Sequence, residues 1–112
     1  MDIALGQSIP AETLDEIVER LVALASPVKI ILFGSNARGE ALSDSDLDLL
    51  VVEKKVTEQY DEALRLDRAL RDFRLPIDLV VVSEDQLKRY GRVPGTIYYR
   101  SLQEGRVLYA QP

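Results

Sequence analysis

The sequence predicts an α/β protein in which helices cover one small mixed β-sheet, and three observations carry that expectation. Amphipathic stretches alternate with short apolar runs along the chain. The runs at 28–33, 46–52 and 77–82 are rich in Ile, Leu and Val, as strands facing a core are. Pro, Gly or charged breaks separate these segments. The 112 residues, 46% of them hydrophobic, suit one domain around one core, since domains are most often about 100–150 residues long.

Taken in order, Ala11 to Ala25 sets Leu14, Ile17, Val18, Leu21 and Val22 at helical spacing with acids and Arg20 between them. Pro27 stops this helix, and Val28 to Phe33 follows as a strand that Gly34 ends. Residues 35–39 permit a helical turn, 40–45 read as a loop, and Asp46 to Val52 is a strand that begins polar and turns apolar. Beyond the charged break at 53–55, Glu58 to Arg74 returns to helical spacing. Tyr60, Ala63, Leu64, Leu70 and Phe73 are expected inside, with Asp61/Arg65 and Asp67/Arg71 as i,i+4 pairs outside. Ile77 to Val82 is the third strand, and Ser83 with Gln86 forms a capping box for a short helix to Tyr90. Thr96 to Gln103 is a further short helix, with Tyr98 and Tyr99 as packing or interface residues rather than catalysts. A small strand at 107–109 closes the chain.

Composition narrows the chemistry. There is no Cys and no His, which excludes thiolate or imidazole metal sites, thiol nucleophiles and histidine acid-base catalysis. Carboxylates, hydroxyls, Lys and Arg must do any work. A formal net charge of -5 gives no basic footprint for direct binding of long nucleic acid. No apolar stretch is long enough to span a membrane and no signal pattern opens the chain, so the expected location is the cytoplasm.

Two features of the stretch from Gly34 to Val52 point to phosphate chemistry. Gly34-Ser35 lies at a strand-to-helix corner, where free backbone N–H groups favour an anion. Asp46 and Asp48, two apart on a strand, project to one face about 6–7 Å from each other, while Leu47 and Leu49 face the core. Asp78, near the start of the third strand, would bring a third carboxylate if the strands are adjacent. Close carboxylates repel unless cations lie between them, and Mg2+ suits oxygen donors that share it with a triphosphate.

Gly34-Ser35, then Asp46-x-Asp48, with Ala37-x-Gly39 and Ser45 between them and Asp78 on a later apolar strand, resembles the nucleotidyltransferase domain of the polymerase beta superfamily. The resemblance covers about Val28 to Val82, and the short length is similar to the minimal nucleotidyltransferase (MNT) branch. It implies a polymerase-beta-type fold over residues 1–112 and transfer of a nucleoside monophosphate from a triphosphate, ATP or another NTP, to a hydroxyl. By the same resemblance Gly34, Ser35, Arg38 and Ser45 belong to the nucleotide-binding part. Asp46, Asp48 and Asp78 would be catalytic ligands of two Mg2+ ions, Asp78 also taking the proton. Position 36, often Arg in relatives, is Asn36 here.

Nothing in these residues supplies an acceptor-binding domain. The branch is commonly paired with a HEPN-domain protein, so the resemblance implies an antitoxin that adenylylates and neutralises a HEPN ribonuclease toxin. Two other readings stay open: a non-catalytic antitoxin acting by complex formation, and a nucleotidyltransferase acting on a small molecule such as an antibiotic. The choice of nucleotide and the oligomeric state are open too.

Overall fold

A computed structural model describes residues 9–34 and 46–112. In the order of the chain its elements are α1 (Ala11–Ala25), β1 (Lys29–Phe33), β2 (Leu47–Glu53), α2 (Gln59–Ala69) with a 3-10 turn (Arg71–Phe73), β3 (Ile77–Ser83), α3 (Glu84–Tyr90), α4 (Ile97–Glu104) and β4 (Arg106–Ala110). The described strands form one mixed sheet in the order β3-β2-β1-β4. β2 is antiparallel to β1 and parallel to β3, and β4 runs antiparallel to β1 with an irregularity between Ile30 and Ile31. The expected turn at 35–39 and loop at 40–45 lie outside the described residues.

Strand alternation divides the core into two layers. Ile30, Leu32, Leu47, Leu49, Val51 and Val81 face Ile17 and Leu21 of α1 and Leu66 of α2. On the other side, Ile31, Phe33, Leu50, Val52 and Val82 pack with Leu87 of α3, Ile97 and Tyr98. Tyr98 also meets Tyr90 with ring centroids 5.5 Å apart. The two sides are therefore closed by different pairs of helices.

α1 ends at Ser26, whose N–H donates to Val22 O as the last helical bond and whose left-handed backbone (φ 44°) turns the chain out of the helix before Pro27. Arg20 of α1 donates to Ala69 O at 2.9 Å, pairs with Asp72 and lies 4.5 Å over the Phe73 ring. One guanidinium thus ties α1 to the end of α2. At α3 the expected capping box is present: Gln86 N donates to Ser83 Oγ at 3.1 Å, and Ser83 N to Gln86 Oε1 at 2.9 Å.

The second helix departs from its expected reading in three ways. It stops at Ala69 and tightens into the 3-10 turn, with Arg74 left-handed (φ 56°) before Pro76. Tyr60, expected inside, is 78% exposed, and Leu66 is the fully buried residue instead. Tyr60 lies in the first turn of the helix, off the arc that Ala63, Leu66 and Leu70 bury. Arg65 pairs with Glu62, three residues before it, rather than with Asp61: both carboxylate oxygens accept, at 2.8 and 2.9 Å. The same guanidinium donates to Leu24 O at 3.1 Å, which draws it toward α1.

Candidate functional site

Gly34 follows the last residue of β1, and Asp48 and Asp78 are each the second residue of their strands. Phe33 pairs with Asp48, and Asp48 with Asp78. The C-terminal end of β1 therefore meets the N-terminal ends of β2 and β3 at one end of the sheet. Neighbouring strands lie about 4.8 Å apart, and paired residues point to the same face. Asp48 and Asp78 thus stand side by side on the face that carries Leu50 and Val52. Helices α3 and α4 cover the apolar part of that face, and Asp78 is exposed while Asp48 is half-buried.

Asp46 precedes β2 and is exposed, so the residue matching Asp78 in register is Asp48 rather than Asp46. Among the described residues no three acidic side chains gather as a group that could hold a metal ion. The backbone sets one carboxylate pair, and Asp46 lies two residues before Asp48 at the exposed head of the strand. Ser35, Arg38 and Ser45 lie outside the described residues.

Gly34 has a positive φ of 77°, which only glycine adopts without strain. A Cβ there would run into the Asp48 carboxylate. The glycine is thus required twice, by its backbone conformation and by the close approach of an acidic side chain. Both requirements belong to the same turn.

Among the described residues the most perturbed ionisable group lies elsewhere. Glu53 ends β2, about 16 Å along the strand from Asp48 at the usual rise per residue. Burial pushes its carboxyl up from the ordinary 4.5 to about 8, and hydrogen bonding to Glu62 with that group's charge adds to the rise. Oε2 of Glu53 is buried with no donor to it among the described residues. The hydrogen bond from Arg65 holds Glu62 below the ordinary range. A cavity of about 350 Å³ adjoins this cluster. The charged break at 53–55 gave no sign of it, because burial of Glu53 under α2 is a tertiary effect.

A glycine corner beside paired carboxylates at one sheet end has the donor chemistry for hard cations and phosphate oxygens. The chain belongs to the nucleotidyltransferase-domain family, whose model matches residues 14–109. A putative protein adenylyltransferase from Methanocaldococcus jannaschii is 35% identical over 82 residues, covering 72% of this chain and 77% of the relative. The fold is similar to the crystal structure of a putative nucleotidyltransferase from Sulfolobus solfataricus, with a TM-score of 0.64 and 24% identity over 89% of this chain and 79% of that one. It is similar as well to a chain in the structure of a tri-AMPylated Shewanella oneidensis HEPN toxin in complex with an MNT antitoxin. There the TM-score is 0.50 and the identity 16%, over 89% of this chain and 69% of that one.

Proposed function

We propose that these residues act as one minimal nucleotidyltransferase domain that moves AMP from ATP onto a hydroxyl of a partner protein, in the cytoplasm, as the antitoxin of a HEPN-domain toxin. The observation that carries the reading is the register of Asp48 against Asp78 beside the Gly34 corner, in a chain of the nucleotidyltransferase family. The protein acceptor is supported by the name of the 35% identical relative, a putative protein adenylyltransferase. The HEPN partner is supported by the fold likeness to the antitoxin complex.

In this reading the acceptor oxygen attacks the α-phosphorus of ATP, forming the new P–O bond as the bond to the pyrophosphate oxygen breaks. Asp78, exposed at the strand head, takes the hydroxyl proton. Gly34 lets the backbone pass closely beside the Asp48 carboxylate without displacing it. Ser35, Arg38 and Ser45 are carried into the nucleotide-binding role by the family pattern alone. The Asp48–Asp78 pair offers oxygen donors that suit Mg2+, and the family pattern adds Asp46 as a third ligand. Mg2+, two ions in this reading, would neutralise triphosphate charge and lower the pKa of the acceptor hydroxyl.

The test is mass spectrometry of a HEPN-domain partner incubated with this protein, ATP and Mg2+. One or more added AMP units are expected, and none with Asp46→Asn combined with Asp48→Asn. Neutralisation of the toxin that survives the double substitution would overturn catalysis in favour of occlusion.

A further inference from the structure

The proposed chemistry needs a polypeptide hydroxyl at Asp78, and the outer edge of β3 offers a way to bring one there. β3 is the end strand of the sheet, and among the described residues it pairs with β2 alone. Leu47 N donates to Pro76 O at 2.7 Å. In a parallel ladder that bond fixes the alternation: the even residues of β3 bond to β2, and Ile77, Leu79 and Val81 turn their N–H and C=O groups outward. Gln59 Nε2 occupies Val81 O at 2.8 Å. Among the described residues, the stretch from Ile77 to Leu79, centred on Asp78, therefore presents its backbone at an edge that no side chain closes.

A groove of about 240 Å³ follows this stretch, lined by Ile77, Asp78 and Leu79 on one side. Tyr60, Ala63, Leu64 and Asp67 of α2 line the other. Tyr60 is the most exposed large apolar side chain among the described residues, at 78%. It stands in the groove wall, on the face of β3 opposite the Asp78 side chain.

We propose that an extended segment of the acceptor protein adds to β3 along Ile77–Leu79 as a fifth strand, with its hydroxyl-bearing residue opposite Asp78. The inference rests on the protein-acceptor reading above. Residues paired across a ladder point to the same face with Cβ atoms about 5 Å apart, which sets the hydroxyl beside the Asp78 carboxylate. The residues on either side of it point to the opposite face, toward Tyr60, Ala63 and Leu64. The segment is therefore apolar next to its hydroxyl. Asp67 lines the groove and the Asp78 carboxylate lies on the opposite face of the strand, so an added segment runs between two acids, which favours a Lys or Arg in it and disfavours an acidic segment. Main-chain bonds supply affinity and the groove supplies selection, as in other strand additions.

The test measures amide hydrogen exchange of this protein with and without its HEPN-domain acceptor, together with transfer kinetics of Tyr60→Ala. Binding of the acceptor is expected to slow exchange at Ile77 and Leu79, with little change at Asp78, whose amide already bonds to β2. Tyr60→Ala is expected to raise the acceptor KM about tenfold and leave the KM for ATP unchanged. Normal transfer with unaltered exchange at Ile77 and Leu79 would overturn the strand addition and leave the AMP transfer standing. Protection of these amides in the absence of any transfer, with Asp78→Asn making no difference, would uphold docking and overturn the catalytic reading. Loss of both protection and transfer would overturn the two together.

Discussion

At Gly34 two independent constraints meet in one residue. Its φ of 77° disfavours any side chain, and the space a Cβ would take is held by the Asp48 carboxylate. Gly34→Ala is expected to destabilise the fold by about 1–2 kcal/mol through the backbone alone. Displacement of Asp48 should lower AMP transfer further, by about 100-fold, because small misplacements of reacting groups are costly in rate. Thermal denaturation beside single-turnover transfer separates the two effects. Glu53 gives a prediction of the opposite kind, in which removing a charge helps. Its folded pKa of about 8 lies above the ordinary 4.5, so the folded state holds a proton that the unfolded chain has lost. The stability linked to this group is fully present below about pH 4.5 and is lost as pH rises toward about 8. Solvent access at the strand end and the opposing behaviour of Glu62 reduce the effect to about 1–2 kcal/mol. Glu53→Gln should therefore raise the melting temperature at pH 8 by several degrees and flatten the slope across this window, as denaturation at a series of pH values would record.

At the scale of elements, helix ends and strand register decide what is positioned. The Ser83–Gln86 capping box starts α3, which closes one side of the sheet. Ser83→Ala should cost about 1 kcal/mol and lower the melting temperature by about 4–8 °C, measurable by calorimetry. That box was legible in the sequence because it is local, and so were the bounds of α1, set by Pro27 and an uninterrupted helical period. The alternation that turns Asp46 and Asp48 away from Leu47 and Leu49 is local too. What a single sequence could not settle is non-local. Whether Asp78 lies opposite Asp46 or Asp48 depends on the parallel register of strands separated by the whole of α2. Tyr60 has the spacing of a core residue, yet the arc that α2 buries is set by where α1 and the sheet stop. Burial of Glu53 and the reach of Arg65 to Leu24 depend on the same packing. Ser35, Arg38 and Ser45 rest on the sequence pattern alone.

At the scale of the whole molecule, one sheet face is divided along its length. Its far end, from Leu50 and Val52 across to Val82, is buried under α3 and α4, while its near end carries Asp48 and Asp78 in register. Hydrophobic burial stabilises the first region, and the exposed carboxylate at Asp78 adds no core contact to the second. Stability and chemistry should therefore respond to different substitutions. Leu50→Ala removes a fully buried side chain and is expected to cost about 2–5 kcal/mol. It should leave the KM for ATP unchanged at temperatures where the variant stays folded. Asp78→Asn removes like-charge repulsion beside Asp48 and should hold or slightly raise the melting temperature while abolishing AMP transfer. Mg2+ with a non-hydrolysable ATP analogue should stabilise the parent protein by binding linkage, about 2.7 kcal/mol at a concentration 100 times Kd. That gain should shrink in Asp78→Asn and persist in Leu50→Ala. A matched set of thermal shifts and transfer rates for the three proteins tests the division, and a Leu50→Ala variant that loses ATP affinity while folded would show that the two ends of the face are coupled.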